Sequence, residues 1–347
     1  MEKLKKFIIF LIISFKLIIY IINTVISDNS VFVYLYLIIV VLLSLKYIFQ
    51  LQFSKMVFLK VMLIMIVSFI IFFLYKEDNI FLYSLLGLLL INEDDKEIIK
   101  TIFISLVIIF SLTTILGCLN ILPVSEVYRT INGDTQTRTS LGFPNANAAF
   151  AYFIPIILSG LYLFKDKKLF IILSLIISII IYSFTVCRTG FYLILMIILF
   201  SIIIKKYNIN FNKNFFLICF VLSIIIALLF GRTKYNYINE LFSFRPWYGY
   251  QFLKQGIFKW GTGIDKNFIL DNLYFKLLAN YSIVGILLYL YIYKMGEKLC
   301  SKDKYLLFSM FFFNIYNIFE AMTIGNFVLI IFLKEIFKDY GVIYEKD

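Results

Sequence analysis

Histidine is absent from the 347-residue chain. That removes a histidine general base, histidine-ligated zinc or haem, and any Ser-His-Asp triad. Cysteine is sparse: Cys118, Cys187, Cys219 and Cys300 are widely scattered with no CxxC pair, so neither a metal site nor a thioredoxin-like motif is expected. They read as small apolar fillers. Charge is scarce as well. Only 16% of residues are Asp, Glu, Lys or Arg, and 62% are hydrophobic; an ordinary soluble domain carries about 25% charged residues. A soluble chain of this length must still clothe its outside with polar groups. Soluble enzymes, nucleic-acid binders and secreted disulfide scaffolds are therefore excluded. Any chemistry must run on Arg, Lys, Asp, Glu, Asn and hydroxyls, without metal or cofactor.

What the sequence does have is long apolar runs. Mean hydropathy is +0.94, and the runs are about 16–22 residues long, enough to cross a hydrocarbon layer roughly 30 Å thick. The pattern predicts an all-α, polytopic membrane protein, one integral membrane domain over residues 1–347, with about twelve transmembrane helices. They are expected near 7–26, 31–49, 57–75, 79–91, 98–119, 147–164, 169–186, 189–204, 215–230, 273–293, 305–319 and 322–337. The opening Met1-Glu2-Lys3-Leu4-Lys5-Lys6 resembles a signal peptide, but the run after it is too long and lacks a small-residue cleavage site, so it reads as an uncleaved first span.

Lysine sets the expected orientation. Alternate loops hold Lys46, Lys55 and Lys60, then Lys96 and Lys100, Lys165 to Lys168, Lys205 to Lys213, and Lys294 to Lys304. Under the positive-inside rule these loops and both termini are cytoplasmic. The opposite face then holds an anomaly. The chain has 28 lysines but only five arginines, Arg129, Arg138, Arg188, Arg232 and Arg245, and all five fall on the outer side. Arginines snorkelling to headgroups are one reading. Arg differs from Lys, however, by a rigid five-donor fork that matches phosphate and carboxylate oxygens, and snorkelling would be served equally by Lys. An anion-binding cavity opening outward is the better reading.

Two outer loops are long, 120–146 and 231–272. Both tryptophans, Trp247 and Trp260, lie in the second, where an interfacial belt and sugar stacking are the alternatives. From Pro246 onward, Trp247, Tyr250, Leu253, Ile257 and Trp260 share one side at helical spacing, predicting a short amphipathic helix on the outer surface. Gly261-Thr262-Gly263 is a plain turn or an anion nest. Asn145 and Asn147 fit turn and N-cap chemistry or sugar binding beside Arg138, and Asp271 sits where a cap belongs before the helix opening at Leu273.

Four elements together resemble the O-antigen ligase and O-antigen/capsular polysaccharide polymerase superfamily. Gly142-Phe143-Pro144-Asn145-Ala146-Asn147 resembles its G-x-x-N-P-N element, with Ala146 at the proline. Cys187-Arg188-Thr189-Gly190 resembles its S-R-[GS] hairpin, with Cys187 at the serine. Arg245, Trp247 and Gly261-Thr262-Gly263 resemble its large outer loop, and Asp271-Asn272-Leu273-Tyr274 with Gly285 resembles the [HD]-N-x-x-L…G segment. They occur in family order over roughly 140–290; residues before about 98 share only the hydropathy pattern.

The resemblance implies a GT-C-like glycosyltransferase with both termini inside, in the bacterial cytoplasmic membrane. It would join undecaprenyl-pyrophosphate-linked repeat units into O-antigen or capsular polysaccharide at the outer face, with a flippase and a chain-length regulator as partners. It assigns Arg188 and Arg245 to the pyrophosphate; with them the chain's own residues offer Asp271 as the catalytic candidate and Arg138, Asn145, Asn147, Trp247, Gly261, Gly263 and Asn272 as candidates around the substrate. Asp271 stands where the ligase branch carries His, which favours polymerisation over ligation. Preorganised arginines can stabilise a pyrophosphate leaving group without metal. Asp271 is the first candidate base for the acceptor hydroxyl, with Glu126, Asp134 and Glu240 behind it. A flippase for the same lipid-linked units is the rival, but no internal repeat is seen, and of the charges inside the expected spans only Lys16 lies far from an end.

Overall fold

Apolar runs separated by short polar caps fold into thirteen α-helices and two small two-stranded sheets among the described residues. The computed structural model describes residues 2–25, 30–52, 54–75, 80–131, 134–165, 167–206, 214–234, 237, 239, 242–256, 261, 270–320, 325–341 and 343–344. In chain order the helices are α1 Glu2–Val25, α2 Ser30–Ile48, α3 Lys55–Tyr75, α4 Ile80–Leu89, α5 Asp95–Cys118, α6 Ala146–Phe164 and α7 Lys168–Thr185. They continue as α8 Arg188–Lys206, α9 Phe215–Phe230, α10 Arg245–Lys254, α11 Leu273–Leu299, α12 Lys304–Phe319 and α13 Phe327–Asp339. The strands are β1 Leu51–Gln52, β2 Glu126–Ile131, β3 Asp134–Thr139 and β4 Ile343–Tyr344.

Every expected span contains a helix. Among the described residues, four helices, α5, α6, α7 and α11, are long and apolar enough to cross a membrane by length and composition. Their starts are set by short polar side chains. Asn145, Asn272, Asp303 and Asn326 each accept a first-turn backbone N–H of the helix that follows, satisfying donors that a helix leaves unpaired. The cap of α11 is therefore Asn272, not Asp271 as the sequence suggested.

The surface is the reverse of a soluble protein's. α7 exposes Leu169, Ile172, Ile176, Ile180 and Phe184 and buries Ser174, Ser178 and Thr185. α9 likewise buries Cys219, Ser223 and Ala227 while Leu222, Ile225 and Leu229 face out. Apart from Ile181 and Phe216, the buried residues of these two helices are small and the exposed ones mostly large and apolar, a pattern that suits helices packed in lipid, where close approach and interhelical hydrogen bonds replace the hydrophobic effect.

At the centre lie two short helices. All ten residues of α4 are buried, and it packs against α13 so closely that a Cβ on Gly87 would come within 3.0 Å of Leu333 Cβ. At about 1.5 Å per residue, neither spans the hydrocarbon layer alone. α11 breaks at Ser282, where φ is 58° and ψ −160°. That break removes the helical partners of the Leu278 and Ala279 carbonyls, and the N–H of Gly261 donates to both at 3.0 Å.

The polar ends of the helices collect at two poles. At one, Lys5 pairs with Glu93, Lys334 with Asp95, Tyr162 donates to Asp303, and β1 pairs with β4. At the other stands a hairpin, β2 against β3, with Glu126 opposite Thr139 and Ile131 opposite Asp134. Much of the expected loop over 120–146 is thus paired strand. The alternation Glu126-Val127-Tyr128-Arg129-Thr130-Ile131 before Asn132-Gly133 is the hairpin signal in the sequence.

Candidate functional site

Arg138 on β3 reaches the end of α7, where its Nε donates to the Thr185 carbonyl at 2.9 Å, and Thr139 Oγ1 donates to the Phe184 carbonyl at 3.1 Å. Both carbonyls are open because α7 stops there: Val186 turns left-handed with φ 46°. With Nε so engaged, Arg138 Nη2 donates to Asn147 Oδ1 at 2.8 Å. Asn147 sits in the first turn of α6, placed there by the Asn145 cap. Its amide then donates to Glu320 Oε1 at 3.1 Å.

Glu320 follows the last residue of α12 and closes the chain of contacts. Its Oε1 also accepts from Arg245 Nη2 in a close ion pair, and the same Nη2 lies 3.4 Å from Asp271 Oδ2. Arg138, Asn147, Glu320, Arg245 and Asp271 thus form one continuous polar line across β3, α6, α12, α10 and the entry to α11. Two of its members are nearly sealed: the Arg245 and Glu320 side chains are 9% and 13% exposed, whereas Asp271 is 39% exposed. Burial raises the Glu320 carboxyl from the ordinary glutamate value to about 7; Arg245 pulls it back, Asp271 adds to the rise and Arg138 opposes it. Removing a carboxylate from water penalises its charged form, and an arginine beside it restores part of that loss.

Arg245 opens α10, with Pro246 in the first turn as its fixed φ favours. The helix is where the sequence placed it, but its packed face is different. Pro246, Gly249 and Phe252 are buried, because a side chain at 249 would collide with Phe275; Trp247, Tyr250 and Leu253 are only half-buried. The helix ends at Lys254, so Ile257 and Trp260 lie outside the described residues. Arg245 Nη1 points to the Phe242 carbonyl at 3.4 Å, and Nε is buried with no hydrogen-bond partner among the described residues. The side chain lines a narrow cleft, whose other walls include Ser223, Phe242, Pro246, Phe275 and Ile318. A buried N–H without an acceptor costs about 1–3 kcal/mol, which an oxygen arriving in the cleft would recover.

The remaining sequence candidates sort around this line. Arg188 opens α8 half-buried, and its side chain makes no hydrogen bond or ion pair among the described residues. Its neighbour Cys187 lies close enough to feel Glu320, Arg138 and Arg245, and burial pushes its thiol up to about 11. Asn272 caps α11 through its oxygen, and its amide donates to Ser223 Oγ at 3.0 Å and to the Ile318 carbonyl at 2.7 Å, tying three helices together beside the cleft. Asn145 is an exposed cap. The Trp247 ring lies under Lys234 Nζ at 4.9 Å and edge-on to Tyr248. Gly261 has φ +81°, and its N–H is engaged by the α11 carbonyls rather than open to an anion. Arg232 is exposed. Gly263, Thr262 and Glu240, and the side chains of Arg129, Asp134 and Lys16, lie outside the described residues.

Glu320 was not among the sequence candidates. It occupies the short connection between two expected spans, where one acidic residue reads as a solvated turn. The available signal was its side: an acid closing an apolar helix on the same face as the arginines. No protein-family model, no curated protein and no solved structure matches the chain.

Proposed function

We propose that the chain is a membrane glycosyltransferase that polymerises lipid-pyrophosphate-linked repeat units at the outer face of a bacterial cytoplasmic membrane. In this reading about twelve helices cross the bilayer in a GT-C-like arrangement, both termini lie inside, and the pole carrying Arg138, Arg245 and Glu320 faces out. The observation that carries the reading is the buried, unpaired Nε of Arg245 on the wall of a largely apolar cleft. A guanidinium held at one end of such a cleft, among the ends of lipid-exposed helices, suits an anion that comes attached to a lipid chain.

Pyrophosphate bound there would develop charge as the glycosidic oxygen leaves, and Arg245 with Arg188 would stabilise that charge in a partly dry site. In many such reactions, fixed donors aimed at developing charge supply most of the rate enhancement. Asn147 and Arg138 hold the opposite side, where an acceptor sugar hydroxyl must be oriented. Undecaprenyl-pyrophosphate-linked repeat units, isolated from cells lacking this chain, provide the assay. Purified protein in detergent should convert single units into a ladder of longer glycans. Movement of the units across liposomes without bond formation would replace this reading by a flippase.

A further inference from the structure

The two bonds that hold the Glu320 carboxylate both land on one oxygen. Asn147 Nδ2 donates to Oε1 at 3.1 Å and Arg245 Nη2 donates to the same atom, while Oε2 takes no hydrogen bond from any described residue. Arginine–carboxylate pairs are frequently bidentate; this one uses a single carboxylate oxygen. Here one oxygen takes both bonds and the other takes none from a described residue, while Arg245, which holds the first, also lines the cleft.

Resting on the transferase reading, we propose that Glu320 is the catalytic base, taking the proton of the acceptor sugar's hydroxyl on Oε2 while Asn147 and Arg245 hold Oε1. The acceptor oxygen forms its bond to the donor's anomeric carbon as the bond from that carbon to the pyrophosphate oxygen breaks. The electron pair leaves with the lipid pyrophosphate, against Arg245. The hydroxyl proton passes to Oε2 and is released to outer water before the next cycle. Asp271, the candidate suggested by the sequence, is the poorer base. It is 39% exposed, and its Oδ2 stands 3.4 Å from Arg245.

Among the described residues, Arg245 from α10, Asp271 before α11, Arg138 from β3, Cys187 before α8 and Tyr316 on α12 are the ionisable groups around Glu320. Their balance leaves its carboxyl raised to about 7, which suits a base working near neutral pH. The carboxyl is protonated below that value and free to act above it.

The test is elongation by purified Glu320→Gln and Glu320→Asp across pH 5.5–8.5, with binding of undecaprenyl pyrophosphate measured alongside. The unaltered protein should gain about tenfold per pH unit on the acid side and level off above about 7. Glu320→Gln should lose at least ~100-fold in rate and lose that pH dependence, yet bind undecaprenyl pyrophosphate as well as before or better, because Arg245 is freed of a charge. Glu320→Asp should keep partial activity with a displaced profile, and it carries the test if the Gln variant fails to accumulate. Glu320→Gln within tenfold of the unaltered rate overturns the assignment. So does a slow variant with an unmoved pH profile, or a flattened profile in Asp271→Asn instead. An unaltered protein that forms no glycosidic bond overturns the transferase reading, and the role of Glu320 with it.

Discussion

Arg245 has five N–H donors, and its surroundings use them unequally. Nη2 serves two carboxylates, Nη1 makes one long contact, and Nε is buried without an acceptor. Lysine would keep the charge for Glu320 and Asp271 but has no group in place of Nε. Arg245→Lys should therefore cost about 2–4 kcal/mol of transition-state stabilisation, on the scale of a lost oxyanion donor. That is roughly a hundred- to thousandfold in rate. Arg188→Lys should behave alike, since Arg188 is half-buried and makes no protein hydrogen bond or ion pair among the described residues. Ladder gels of surface glycan at equal membrane levels provide the check; long ladders from both variants would leave only snorkelling. Asp271→Asn is expected to be milder. Asp271 is neither the helix cap nor closely paired, and a part-exposed ion pair is worth about 1 kcal/mol or less. The variant should retain at least about a fifth of the elongation rate, and polymer lost altogether would put Asp271 back at the reaction centre.

At the scale of elements, the site depends on one close crossing. A Cβ on Gly117, near the end of α5, would lie 2.7 Å from the Leu141 carbonyl oxygen and the Gly142 nitrogen, and Gly142 itself has φ +83°. The strand passing there joins Arg138 on β3 to Asn147 on α6. Gly117→Ala favours the helix by up to about 1 kcal/mol, but the crowding costs about 1–3 kcal/mol and pushes the strand away. The expected result is a lower melting temperature and reduced elongation with every polar site residue intact. A variant that melts higher and elongates normally would show that the crossing does not position the site.

Helices were the legible part of this molecule, because runs of Ile, Leu and Phe leave little choice of structure. The helix opened by Arg245 and Pro246 was legible too, through its proline. Its packed face was not, since that face is set by Gly249 meeting Phe275, a residue from another helix. The arginine excess on one side read as an anion site; in the fold Arg138 and Arg245 are linked through Asn147 and Glu320. Glu320 and Asn147 could not be joined from sequence alone. They are 173 positions apart, and only tertiary packing makes a turn residue of α12 the neighbour of a first-turn residue of α6.

For the whole molecule, the two poles carry the topological expectation. Tyr128 on the hairpin is 67% exposed, and Ser301, between α11 and α12, is exposed at the lysine-rich pole. In a background with Cys118, itself exposed, changed to Ser, Tyr128→Cys should react with a membrane-impermeant maleimide in intact cells. Ser301→Cys should react only after the membrane is opened. The reverse pattern would invert the protein and place the arginines inside.

The pairing of α4 with α13 also bears on how the protein is made. Lys334 on α13 bonds the carbonyl of Glu93, just past α4, across 241 positions of sequence. At ordinary synthesis rates α13 emerges roughly 10 to 50 seconds after α4. Through that interval a ten-residue helix, too short to hold itself across a bilayer, lacks α13 and packs chiefly on α3, α2 and α1. The centre of the molecule is thus among the last parts to be finished. A ribosome stalled before Phe327 would release a chain whose middle is still open, marked for the membrane's proteases by an unfilled groove rather than by any damaged residue.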